Sequence, residues 1–223
     1  MAAGLFLQAE EQPWIIWSWL FAHGQLLADA ISQHVQLTVI AVGVGLAISL
    51  PLGVLAHHWI RLRDPSLTVS GILYTIPSLA LFSALVPYTG LSVLTAEIGL
   101  VSYTVLILLR NILIGLEAVP PDVIDAANGM GYRRWTRLLQ VELPLALPAI
   151  FAGLRIATVT TIGLVTITAV IGLGGLGQLI LQGLIQDFRT PLLMGTLLSI
   201  ALAVVADLTL AGLQRLAVPW ART

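Results

Sequence analysis

The chain has 223 residues, 58% of them hydrophobic and 9% charged, with a formal net charge of −1, whereas soluble domains carry about 25% charged residues. That balance is that of an integral membrane protein folded as one bundle, and the near-neutral charge excludes a nucleic-acid footprint and an acidic tail. Cysteine is absent and all ten basic residues are arginine, which excludes disulfides, thiolate metal sites, cysteine nucleophiles, Schiff-base lysines and a standard lysine-bearing phosphate loop. If the chain works on ATP, another chain must bind it.

Residues 1–12 contain no basic residue and carry Glu10 and Glu11, so they do not read as a cleavable leader. From Trp14 to Ser32 apolar residues alternate with Ser18, His23, Gln25 and Asp29. This predicts an amphipathic helix on the membrane surface, with Trp14, Trp17 and Trp19 as interfacial anchors; a sixth span is the alternative. A helix needs about 20 apolar residues to cross a bilayer, and five windows meet that length. They are 35–56, 68–86 (interrupted by Pro77), 94–115 (with Glu97 and Arg110), 146–171 (with Arg155) and 191–213 (with Asp207). The all-α fold predicted is thus five spans after an N-terminal segment 1–34, a spanning domain over 35–215, and a tail 216–223.

Arginine sets the orientation. Arg61 and Arg63 lie in the first connection, Arg133, Arg134 and Arg137 in the third, and Arg215 and Arg222 near the C-terminus, while the opposite side has only Arg189. The positive-inside rule puts the third connection and the C-terminus in the cytoplasm. Five spans then put the N-terminus outside.

That third connection, 117–144, is a polar island with four of the eleven acidic residues and three of the ten arginines. Pro120-Pro121-Asp122 reads as a helix start, with proline in the first turn and an acid at the positive end of the dipole. Gly129 and Gly131 allow a positive φ or a close backbone approach that ends this helix. Tyr132 to Glu142 reads as a second helix with Trp135, Leu138 and Leu139 on one face, stopped by Leu143-Pro144, which starts the next span. A solvated connector is the plain reading, but ordered links of this length are usually functional. Small Ala126 and Ala127 followed by Gly131 permit close docking of a partner.

Other features carry two readings each. Gly172-Leu-Gly174-Gly175-Leu-Gly177 has the spacing of a dinucleotide fingerprint, but it follows a span rather than a soluble strand, so a tight packing turn is the expectation. The threonines of the fourth span, Thr161 and Thr168 among them, either bond back to their own helix or line a hydrated path. Tyr74 and Tyr103 are candidates for cation–π contact along that path, or packing residues. Glu97, Arg110, Arg155 and Asp207 are costly inside spans unless paired or near an end. Arg110 and Arg155 fall in the cytoplasmic third of their helices, where snorkelling or structural pairing is the reading, and Asp207 lies toward the same side and could pair with either. The four histidines, His57 and His58 included, have no metal-binding spacing, and no catalytic dyad or metal site is visible.

The island's residues carry a resemblance. Asp125-Ala126-Ala127, then Gly131, then Val141-Glu142-Leu143-Pro144 resembles the EAA loop of binding-protein-dependent ABC importer permeases, whose pattern is Glu-Ala-Ala, three residues, Gly, nine residues, Ile-x-Leu-Pro. Asp125 stands for Glu and Val141 for Ile. The stretches 75–81, 108–111, 128–135, 141–150, 152–158 and 171–177 resemble the permeases for glycine betaine, carnitine and choline, and the likeness runs from about residue 30 to 215. The resemblance implies a MetI-like five-span core in a bacterial inner membrane, and import of osmoprotectant by alternating access without enzymatic activity in this chain. It also implies two cytoplasmic ATPases that hold the ATP and magnesium, a second permease copy or paralogue, and a separate extracytoplasmic binding protein. In that family Asp125, Ala126, Ala127, Gly131, Leu143 and Pro144 would form the ATPase-coupling loop. An amino-acid importer is the near alternative. From other classes, an ion-coupled transporter would use Asp207 or Glu97 as its proton site, and a membrane-embedded enzyme lacks a reactive constellation.

Overall fold

A computed structural model describes residues 13–221; the reading of residues 1–12, and Arg222, lie outside the described residues. All regular structure among the described residues is helical. Because Pro51, Pro65, Pro87 and Pro148 all sit inside helices, proline alone does not mark the boundaries. Spanning helices tolerate it when neighbours satisfy the freed carbonyls.

The surface helix expected over Trp14–Ser32 is not a separate element. Only Trp17–Ala22 (α1) stands apart, and Gly24–His58 (α2) is one unbroken helix of 35 residues. At 1.5 Å per residue it is roughly 52 Å long, well beyond the about 30 Å of a hydrocarbon core. Gln25, Asp29 and Gln33 therefore ride on the extension of the first span. No helix breaker separates them from Val35, so the hydrogen-bond ladder simply continues.

The second window is broken as its proline suggested. Ile60–Thr75 (α3) and Ser78–Thr89 (α4) meet at 94°. Ile76 precedes Pro77 and is extended, the conformation that proline imposes on its predecessor. The hydroxyl of Tyr103 donates to the carbonyl of Ile76 that the break leaves free.

Val93–Glu117 (α5) is the central helix, started by the Ser92 side chain accepting from the Thr95 N–H. Gly45 meets Thr104 and Gly53 meets Ile112, so α2 and α5 run in the same direction. Two parallel neighbours need a return pass between them, and α3–α4 supplies it. Four helices are long and apolar enough to span, or five with this bent pair as one span.

Past the loop helices Pro121–Gly129 (α6) and Arg134–Arg137 (α7), the chain enters Leu143–Ile167 (α8). Gly115 against Ala146 and Asn111 against Gly153 make α8 antiparallel to α5. A Cβ on Gly115 would lie 2.8 Å from the Ala146 carbonyl oxygen, the small-residue contact that brings spanning helices together. Around it Leu108, Ile112, Leu116, Leu138 and Ile150 form the main core.

The fingerprint-like glycines are a packing turn. Gly172, Gly174 and Gly175 have positive φ and follow a 3-10 turn, not a strand. A Cβ on Gly177 would meet the Thr166 carbonyl at 2.3 Å, and one on Gly175 the Ala30 carbonyl at 2.4 Å. The turn leads into Leu176–Ile185 (α9), a short helix with no counterpart among the sequence windows. It packs antiparallel on Arg189–Ala217 (α10), with Leu176 and Ile180 at the level of Gly195. That level is six residues, about 9 Å, along α10 from its start, so the glycine turn is set back into the bundle. Only 6% of the most apolar window of α10 is buried, so it lies on the outside of the chain.

Candidate coupling surface and charges within the spans

The island forms helix, cap, helix. Pro121 opens α6 and Asp122 lies in its first turn. The end of α6 is a Schellman motif: Gly131 at φ +81 lets its N–H reach the Asn128 carbonyl (3.0 Å) and that of Tyr132 reach Ala127 (3.1 Å). Gly131 thus supplies the positive φ, while Gly129 is an ordinary helical residue. Asp125, Ala126 and Gly131 are exposed on this short helix, whereas Ala127 is turned into the chain's own core. Beside them Met130, Trp135 and Leu139 are 69%, 60% and 63% exposed. Small, apolar and acidic residues are thus exposed together on the loop.

Two expectations here need correction. Trp135, Leu138 and Leu139 do not share a face, because Leu138 is buried in the main core while the other two are outside. Leu143-Pro144 does start the next span, α8, but it does not stop the helix before it. Leu138–Glu142 is a π turn that runs straight into α8, and the Leu143 N–H bonds to the Leu138 carbonyl five residues back. The wider turn accommodates the N–H missing at Pro144. Leu143 and Pro144 are half-buried at the root of α8, so the six loop residues do not make one continuous face.

The π turn also builds a network that sequence reading passed over. Glu142 is 1% exposed and accepts from Arg137 Nε at 2.6 Å. Five residues apart on a regular helix, these two would point away from each other. Arg137 also donates to the Asn128 side chain at 2.7 Å, and His57 Nε2 lies 3.4 Å from the other Glu142 oxygen. The Trp135 ring stands edge-on to His58 at 6.0 Å, and Arg134 donates to the His58 carbonyl. The loop is therefore clamped to the end of α2 as well as joined to α8. The only sequence signal was a pair of opposite charges inside the island.

Burial decides what this clamp contributes. Truncating Glu142 to Ala leaves Arg137 without its carboxylate and is expected to destabilise the detergent-solubilised protein by about 2–3 kcal/mol. Arg63 and Glu117, paired at 2.9 Å but 37% and 39% exposed, should contribute under about 1 kcal/mol. Thermal unfolding of Glu142→Ala and Arg63→Ala compares them, and equal shifts would refute this ranking.

Within the spans, Asp207 pairs with Arg155 and not Arg110. Arg155 Nε and Nη2 donate to Oδ1 and Oδ2, both at 2.8 Å. Arg110 is exposed on α5, seven residues short of its end. Both Glu97 oxygens are shut off from solvent without a hydrogen-bond partner. The four residues read as a candidate path lie on α3, α5, α8 and the 3-10 turn after it. Thr161 and Thr168 are fully buried in this chain, Thr168 bonding back to Val165. Tyr103 is buried at the α3–α4 break, and half-exposed Tyr74 stands edge-on to it at 5.6 Å.

Comparison with known proteins agrees with this architecture. The family model described as binding-protein-dependent transport system inner membrane component matches residues 45–217. The chain is 41% identical over 200 residues to the osmoprotectant import permease protein OsmW of Salmonella typhimurium, covering 86% of this chain and 92% of that one. It is 34% identical to the carnitine transport permease protein OpuCB of Listeria monocytogenes, covering 82% and 84%. Among solved structures, an inward-facing MetNI methionine ABC transporter chain superposes with a TM-score of 0.78 at 22% identity, over 88% of this chain and 98% of that one. The helical bundle is the fold that this chain shares with that transporter chain. The chain belongs to the family of inner membrane components of binding-protein-dependent transport systems, as a permease subunit.

Proposed function

We propose that this permease subunit imports compatible solutes of the quaternary-amine type, glycine betaine, carnitine or choline, on ATP held with magnesium in two separate ATPase chains. The observation that carries the coupling is the exposed α6 surface with its glycine cap, clamped through Glu142 to α2 and α8. The solute class is supported by the relatives, several of which are named as transporting carnitine, glycine betaine or choline. The arginine bias supports a cytoplasmic island and C-terminus, with the N-terminus outside. A second permease, copy or paralogue, completes the pore, and a binding protein delivers solute from outside.

The motion is alternating access. ATP closes the ATPase pair, α6 travels with it, and the Glu142–Arg137–His57 network passes the movement to α2 and α8. The opposite end of the bundle then opens to the docked binding protein. The island supplies the coupling groups Asp125, Ala126 and Gly131, while Ala127, Leu143 and Pro144 hold its shape.

Uptake of labelled glycine betaine into vesicles holding the complete importer tests this. Uptake is expected only with both ATP and the binding protein, and it should persist with an uncoupler. Uptake that proceeds without ATP and collapses with an uncoupler would replace this reading with an ion-coupled one.

A further inference from the structure

Arg155 of α8 and Asp207 of α10 share an open cavity of about 460 Å³ with Ala152, Ile156, Val159 and Thr160. That volume is within the range of small-molecule pockets, about 300–1,000 Å³. Arg155 lies twelve residues into α8 and Asp207 ten residues before the end of α10. Those offsets are about 18 and 15 Å along the helices, within the apolar windows of both spans. Each side chain is nevertheless 35% exposed. Charges within a span face protein or a water-filled cavity rather than lipid.

The pairing leaves binding capacity on both groups. Guanidinium has five N–H donors, and the Asp207 bonds use one on Nε and one on Nη2. The remaining donors and the unused carboxylate lone pairs are free for another ligand. A clamp between α8 and α10 would need the ion pair but not the cavity beside it.

We propose that this cavity is a substrate subsite for zwitterions. Arg155 takes the solute carboxylate, and Asp207 faces the quaternary ammonium, whose methyl groups lie on Ile156 and Val159. A quaternary ammonium has no N–H, so it attracts Asp207 through space without competing for the bonds from Arg155. A simple cation such as choline meets Asp207 and Arg155 together and gains little from their opposed charges. A zwitterion presents the matching pair. This rests on the reading of the chain as a compatible-solute permease.

The complete importer in vesicles, with labelled glycine betaine and labelled choline, tests it. The binding protein is the same throughout, so a change in the uptake ratio reports the permease. Arg155→Met is expected to raise the choline-to-glycine-betaine ratio at least tenfold, and Arg155→Lys to return it most of the way. If Arg155→Met fails to assemble, the double variant Arg155→Gln with Asp207→Asn keeps a neutral hydrogen-bonded contact, and it should show the same loss of preference. An equal fall for both solutes, or an unmoved ratio, would overturn the subsite while leaving the importer reading intact. Wild-type vesicles that take up neither solute would overturn both.

Discussion

Gly131→Trp is expected to abolish transport and the co-purification of an ATPase, while leaving the chain inserted in the membrane. The reason is that Gly131 has two separable roles. Its φ of +81 closes the Schellman cap, and any side chain there adds about 1–2 kcal/mol of strain. That cost is local and too small to unfold a bundle whose core lies elsewhere. Its other role is absence of bulk: Gly131 is exposed and nothing lies within 4 Å of a Cβ built there, so an indole would add its bulk to the open face of the loop. Gly131→Ala carries the same φ strain without the bulk and separates the two roles. It should retain most ATPase association, with at most a several-fold loss of transport. Normal ATPase co-purification with Gly131→Trp would count heavily against this loop as the coupling site.

At the other end, Gly175→Val should prevent the chain from accumulating as folded protein. Gly175 has φ +49 and ψ −109, a conformation open in practice only to glycine, and strain there is roughly 1–3 kcal/mol. A Cβ would also lie 2.4 Å from the Ala30 carbonyl oxygen and 2.7 Å from the His34 nitrogen, both backbone atoms of α2. Overpacking against atoms that cannot rotate away adds about 1–3 kcal/mol more. The turn is further tied by the Gly175 N–H to the Gln33 side chain at 2.9 Å, and His34, fully buried, bonds the Ile162 carbonyl at 3.0 Å. Moving the turn therefore disturbs α2, α8 and α9 together. Gly163→Val is the control, since nothing lies within 4 Å of a Cβ there. Monodisperse yield after solubilisation reads both variants. Equal yields would show that the turn tolerates a side chain and that the close packing is not required.

The sequence by itself determined the membrane class, the spans near 94–115, 146–171 and 191–213, the break at Pro77 and the loop spacing from Asp125 to Pro144. These depend on local quantities: the length of an apolar run, the geometry forced by proline, and the positive φ that glycine allows. It also pointed to an arginine as a partner for Asp207, since an isolated carboxylate within a span is costly. Which arginine was decided by tertiary structure, because α8 and α10 approach each other and α5 does not present Arg110 to either. The same holds for the joining of residues 24–34 to the first span, where amphipathic spacing suited a surface helix equally well. The π turn was equally invisible: a one-residue change in helical register buries Leu138, brings Arg137 onto Glu142 and carries the chain past Pro144 into α8. A periodicity argument assumes one register throughout, so it mistakes that stretch for a helix and a stop. The glycine run was legible as a tight turn, but only packing placed it about 9 Å down α10, against the backbone of α2. Contacts between distant helices depend on how whole faces meet, and local patterning along one strand of sequence does not encode that.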